Sequence, residues 1–167
     1  MSGVPPIDPV LDEAHADFIQ HHVSMAVASC SAALAPSLVR AFGCRLSADR
    51  RCLTVFLALP LSQPVLADLR TGAGIAVVFT RPSTHETLQL KGTGAEIAAL
   101  ADGDRAIMRA YGSSFREELR RLGYPQIFTD AMTAPIEAGA VGVSFVPAAA
   151  FVQTPGPAAG QPLASVS

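Results

Sequence analysis

The sequence predicts a mainly β domain, an antiparallel barrel with helices on its periphery. Three observations lead there. Short apolar runs alternate with a period of two, polar turns of a few residues join them, and helical patterns fall between groups of strands rather than after each one. Strict strand–helix alternation would instead favour a parallel doubly wound sheet. The 167 residues suit one core.

Asp8 followed by Pro9 reads as a helix N-cap, and Val10, Leu11, Ala14, Phe18 and Ile19 recur at helical spacing up to Gln20. From Val23 the pattern becomes alternation. Val23-Ser-Met-Ala-Val-Ala-Ser-Cys predicts a strand, and Pro36 sets off a second extended run over Ser37–Leu46. A polar turn, Ala48-Asp49-Arg50-Arg51, leads to a third strand over Cys52–Leu59. Ser62, with Pro64 close behind, predicts the start of a second helix that buries Val65, Leu66 and Leu69 and stops at Gly72.

The continuous apolar run Ile75–Thr80 predicts a buried strand. After Arg81-Pro-Ser-Thr-His, Leu88 and Leu90 alternate with Thr87, Gln89, Lys91 and Thr93, so one face of this strand is core and the other is polar and available. A third helix begins near Asp102 or Asp104 and aligns Ile107, Tyr111, Phe115, Leu119 and Leu122. Gly112 is a candidate bend and Gly123 a stop. Ala140–Val146 predicts the last strand, with a possible resumption through Phe151-Val-Gln-Thr. The domain is expected over 1–154, followed by a Pro/Gly/Ala-rich tail over 155–167.

Twelve basic and fourteen acidic side chains leave a net charge of −2, which gives no electrostatic ground for a nucleic-acid or anionic-membrane partner. The apolar stretches Val23–Val39 and Cys52–Ala67 are broken by serines, prolines or Gln63, so neither forms the ~20-residue span a bilayer requires. The N-terminus lacks the basic start and apolar core of a secretory leader, and a cytoplasmic protein is expected. Cys30, Cys44 and Cys52 have no zinc-type spacing and read as buried, reduced thiols. Of the histidines His15, His21, His22 and His85, the adjacent His21 and His22 must diverge on any regular element and no Cys or acidic residue is read as joining them at ligand spacing, so no metal site is expected. Gly72-x-Gly74 and Gly92-x-Gly94 both run into extended sequence and lack a third glycine, which excludes a dinucleotide fingerprint.

Only 16% of residues are charged, and none lies between Ala138 and Ser167. A chain this short of charge is expected to bury a sizeable apolar area against a partner or ligand, with Ala138–Thr154 at or near the contact. The candidate binding residues are phosphate-competent donors. Arg40 and Arg45 lie on the second strand, Ser62 and Gln63 at a helix start, Arg81 and Ser83 after the fourth strand, and Gln89 and Lys91 on the polar face of the fifth. The plainer alternative is that these side chains only solvate strand edges. Arg40 and Arg45 are five apart and face opposite ways on a regular strand, unless a bulge near Gly43 intervenes.

The successive segments Val23-Ser-Met-Ala-Val-Ala-Ser, Pro36-Ser-Leu-Val-Arg-Ala-Phe-Gly, Leu53-Thr-Val-Phe-Leu, Ile75-Ala-Val-Val-Phe-Thr-Arg-Pro and Thr87-Leu-Gln-Leu-Lys-Gly resemble the strands of the pyridoxamine 5′-phosphate oxidase-like FMN-binding split barrels. The resemblance runs from Asp8 to Thr154. It implies a six-stranded, Greek-key split barrel that forms a homodimer with FMN between the subunits, and a flavin-dependent oxidoreductase working with a small-molecule electron donor or acceptor. It further implies that Arg40 or Arg45, with Ser62 and Gln63, holds the FMN phosphate, that Gln89 meets the flavin and that Lys91 reaches phosphate or substrate. The chain departs from true pyridoxamine phosphate oxidases in having no Trp and no Arg after Arg121, so oxidation of the vitamin phosphate itself is not expected. The alternative is a non-catalytic module storing flavin or haem, with His21, His22 or His85 on the iron.

Overall fold

A computed structural model describes residues 11–163. Helix α1 (Glu13–Gln20) begins after the Asp8-Pro9 pair, which lies outside the described residues. Asp12 is its N-cap, accepting from the His15 amide at 2.8 Å. That bond holds the Asp12 carboxyl below its ordinary value. A depressed folded-state pKa gives stability that is complete above the ordinary aspartate range and fades as pH falls through the depressed value. Asp12→Ala is therefore expected to lower unfolding stability by about 1 kcal/mol near neutrality. Urea unfolding should show the difference vanish in acid, and a difference that persisted there would contradict the cap.

Eight strands follow: β1 (Ser24–Cys30), β2 (Pro36–Leu46), β3 (Leu53–Ala58), β4 (Ile75–Thr80), β5 (Thr87–Gly92), β6 (Glu96–Ala99), β7 (Ala140–Phe145) and β8 (Ala149–Val152). They form one antiparallel sheet in the order β6-β7-β3-β2-β1-β4-β5-β8. The expected six-stranded barrel is thus corrected to an eight-stranded sheet that does not close, because no ladder joins its outermost strands. The added strands are short. β6 has four residues whose exposure does not alternate, and β8 lies beyond Pro147, where the ladder changes partner.

The open sheet nevertheless curls. Residues 146–148 alone link β7 to β8, yet these strands stand six places apart in the sheet. A flat sheet would separate them by about 29 Å, whereas so short a link spans at most about 14 Å. The two ends therefore approach each other, and the Ala148 amide donates to the Lys91 carbonyl at 2.8 Å. Gly92 marks the seam, since a Cβ there would lie 2.6 Å from the Phe145 ring.

The concave face carries Met25, Val27, Val39, Ala41, Leu57, Val77, Phe79, Leu88, Leu90 and Val143, all buried. Helix α2 (Leu59–Arg70) packs against this core through Val65, Leu66 and Leu69, and its Asp68 accepts from the Ser29 hydroxyl at 2.7 Å. Helix α3 (Asp104–Arg121) covers part of the convex face, with Met108 and Tyr111 against Gly43 and Phe56. Gly112 does not bend it. The helix is continuous there, and the glycine instead admits Ile136, whose Cδ1 would stand 2.4 Å from an added Cβ. Ile136 belongs to a 3-10 turn (Ala134–Glu137) that follows helix α4 (Gln126–Thr133).

The described part of the tail is tied down. Its Gly160 and Leu163 amides donate to Val152 and Ala150 at 2.8 Å each, which satisfies the outer edge of β8. Among the described helices none is long and apolar enough to cross a membrane.

Candidate functional site

Directly opposed residues of an antiparallel pair project from the same face. The registers therefore define rows across the convex face. One row reads Arg40, Ala26, Val78, Gln89, Phe151; the next reads Leu38, Ala28, Ala76, Lys91, Ala149. On the other side of the first row stand Ser24, Thr80 and Thr87. Helix α3 meets this face at Arg40, through Phe115, and at the β4–β5 turn, through Glu118. Ala26, Ala28, Ala76 and Val78 are only half-buried, and Leu38 is 73% exposed. Among the described residues no Asp or Glu stands in these rows, while Arg40 and Lys91 do.

Arg40 sits where the covered and open parts of the face meet. Its guanidinium lies 4.8 Å from the Phe115 ring centroid and donates to the Ser24 hydroxyl at 3.1 and 3.3 Å. Phe115 stacks on Tyr111, with centroids 5.8 Å apart and planes at 6°. The aromatic pair and one hydroxyl orient the group, and among the described residues no carboxylate neutralises it. Such a fixed, unpaired fork suits a phosphate.

Arg45 does not oppose Arg40 in direction. The ladder between β2 and β3 shifts register between Ala41 and Cys44, with Gly43 at φ +116°, so a bulge restores the same face. Arg45 is nevertheless engaged: its Nε donates to the buried Asp104 at 2.7 Å and ties β2 to the start of α3. Helix α2 begins at Leu59, three residues before the expected start at Ser62. The Ser62 hydroxyl is buried and donates to the Ala58 carbonyl at 2.6 Å, and Gln63 donates back to Leu59 at 2.9 Å. Both side chains bond within their own helix rather than to a free N-terminus.

Arg81 lies 4.9 Å from the Phe18 ring centroid and pairs with Glu86 at 3.4 Å, in the turn between β4 and β5. Ser83 in that turn is held through its amide by the buried Glu118 of α3 at 3.0 Å. Gln89 stands on the open face, its Oε1 accepting from the Gln153 amide at 3.2 Å. Lys91 is exposed, with Nζ 5.2 Å from the Phe151 ring centroid. The structure thus groups Arg40, Gln89 and Lys91 on one surface and leaves Arg45, Ser62, Gln63, Arg81 and Ser83 in structural bonds.

Four residues join this surface without having been singled out in the sequence. Ser24 and Phe115 hold Arg40, and Gln153 and Phe151 flank Gln89 and Lys91. The parity of Ser24 with Ala26 was readable; the others depend on where a helix and an edge strand dock.

The cysteines are corrected in part, because Cys30 is exposed and only Cys44 is fully buried. Burial pushes the Cys44 thiol above its ordinary range, and it donates to the Ile19 carbonyl at 3.4 Å. The adjacent histidines diverge, His21 to Asp17 and His22 to Ser114, and among the described residues no cluster suits a metal ion.

No family model and no curated protein matches the sequence. Solved structures do share its architecture. A protein from Lactobacillus delbrueckii provisionally named a pyridoxamine 5′-phosphate oxidase superposes with a TM-score of 0.54 at 13% identity, over 85% of this chain and 93% of that one. HupZ of Group A Streptococcus gives 0.52 at 18% identity, over 90% and 99%. An F420 reductase gives 0.51 at 12% identity, over 84% and 98%. At such identities the likeness concerns the fold. The chain therefore has the fold of pyridoxamine 5′-phosphate oxidase-like proteins, the architecture its strand motifs resemble.

Proposed function

We propose that the chain binds FMN on the open convex face, between two copies of itself, and serves as a flavin-dependent oxidoreductase. The observation that carries this reading is the composition of the face: half-buried alanines and a valine, bounded by Arg40 and Gln89 and free of acids among the described residues. The donor set fits the cofactor. Arg40 and Ser24 supply fixed donors for a phosphate, the small side chains admit a flat ring, and Gln89 offers an amide at its polar edge.

When bound, FMN supplies the hydride or electron transfer. The protein's part is to anchor, orient and exclude water, and among the described residues no carboxylate and no histidine stands in the open rows. A second copy is the natural cover, because a five-strand face with a 73% exposed Leu38 is more apolar than a lone domain usually leaves in water. A small-molecule electron donor or acceptor completes the reaction.

Adding FMN to the purified chain and recording the visible spectrum tests the binding. A perturbed flavin band that saturates supports it; a spectrum identical to free FMN removes it. Gln89→Ala is expected to weaken FMN binding by roughly threefold to tenfold, the share of one amide hydrogen bond. Thermal unfolding should stay unchanged, because Gln89 faces away from the buried Leu88 and Leu90. A collapsed fold in that variant would mean the faces are assigned wrongly.

A further inference from the structure

We propose that the cleft between α3, α4 and the 3-10 turn is a binding site for a zwitterion, an α-amino acid with an aliphatic side chain. The cleft has a volume of about 400 Å³, within the range of small-molecule pockets. It lies on a different side of α3 from Tyr111 and Phe115, so it is separate from the open face and stands whether or not that face takes FMN.

The sequence builds this cleft by turning α4 with its polar side inward. Thr129 and Thr133 are buried, whereas Ile127 is 81% exposed. Polar atoms therefore line the gap between the helices. From the other side Arg109, Ser113 and Arg116 recur at spacings of four and three residues along α3, which brings them to the gap together.

The charges in the wall do not all cancel. Arg109 and Glu137 close on each other through two hydrogen bonds of 3.0 Å. Arg116 is held differently. Its Nη1 donates to the Thr133 hydroxyl at 2.8 Å and its Nη2 to that of Ser113 at 3.5 Å; both hydroxyls line the cleft, and among the described residues no carboxylate pairs with the guanidinium. The Thr133 hydroxyl is itself fixed, donating to the Thr129 carbonyl at 3.0 Å. The guanidinium is thus oriented within the wall by neutral groups and keeps its charge and spare donors. Asp130 is the opposite case, a carboxylate in the same wall that accepts from the neutral Gln126 amide at 3.3 Å and pairs with no cation among the described residues.

An arginine and an aspartate that share a cleft of this size without pairing offer one positive and one negative point to a single ligand. A phosphate or a dicarboxylate would face Asp130 and Glu137 as well as Arg116, and a plain amine would face Arg109 and Arg116, so like charges select against both. A ligand carrying both charges satisfies both ends, its carboxylate on the Arg116 fork and its ammonium on Asp130. Ala134 and Ile136 complete the wall with apolar surface, which suits an aliphatic side chain.

L-Leucine is the probe. N-acetyl-L-leucine lacks its ammonium and L-leucinamide lacks its carboxylate. Calorimetric titration of the full chain should show saturable leucine binding, with either analogue bound roughly tenfold more weakly or worse. Arg116→Gln should weaken leucine roughly tenfold and leave leucinamide unchanged; Asp130→Asn should weaken leucine by a similar factor and leave N-acetyl-leucine unchanged. Asp130 is exposed, so the second variant keeps the fold even where the first does not. Leucine that fails to bind the parent, or that binds the folded Asp130→Asn variant equally well, would overturn the site. So would analogues bound as tightly as leucine, or leucine displaced by FMN, which would place both in one site.

Discussion

Replacing Arg40 by alanine is expected to weaken FMN binding by roughly 30-fold to 100-fold, while Arg45→Ala leaves it within about threefold. Both guanidiniums lie on the same strand and, through the bulge at Gly43, on the same face. Their partners separate them. Arg40 is oriented by Phe115 and Ser24 and carries no carboxylate among the described residues, so its charge is available to a phosphate. Arg45 is spent on Asp104, which is only 3% exposed. Removing Arg45 leaves that carboxylate without its guanidinium and is expected to lower unfolding stability by about 1–3 kcal/mol. Flavin fluorescence titration and urea unfolding on the same two variants give a crossed result, affinity lost in one and stability in the other. Equal affinity losses would contradict the assignment of the phosphate to Arg40.

Gly92→Ala is expected to cost about 3 kcal/mol of unfolding stability, at the upper end of what overpacking costs. An added Cβ would lie 2.6 Å from the Phe145 ring and 2.8 Å from the Val146 carbonyl oxygen. A ring can rotate away, but that carbonyl belongs to the three-residue link between β7 and β8 and has little room to move. Gly74→Ala is the control, since its Cβ would meet only the Gly92 carbonyl at 3.6 Å, an ordinary contact. It should change stability by no more than about 0.5 kcal/mol. If both variants unfold at the same urea concentration as the parent, the two ends of the sheet do not approach as described.

The strands that line the core were legible because their alternation is local. Met25 and Val27, Val77 and Phe79, and Leu88 and Leu90 each announce a buried face at a period of two, and their polar or small neighbours announce the other. The open face followed from the same pattern, which is why Gln89 and Lys91 could be placed on it. Helix α2 was misplaced by three residues because Ser62 resembles a cap. A serine hydroxyl can equally donate back to the carbonyl four residues earlier, as it does to Ala58, and nothing local distinguishes the two.

The partner of Arg45 was not legible, because Asp104 is 59 residues away and meets it only after α3 docks. The Gly43 bulge was conditional in the sequence and decided by the register with β3. The apolar stretch from Ala138 onward also divides in space: β7 is enclosed between β3 and β6, while β8 brings Phe151 to the open face. Only the second part can border a partner through that face.

Sedimentation velocity, recorded at once through protein absorbance and the flavin band in the presence of FMN, tests the shared site most directly. The flavin band is expected to move with a species of about twice the 17.3 kDa chain mass. A protein boundary at the single-chain mass, with the flavin left behind as free FMN, would contradict it.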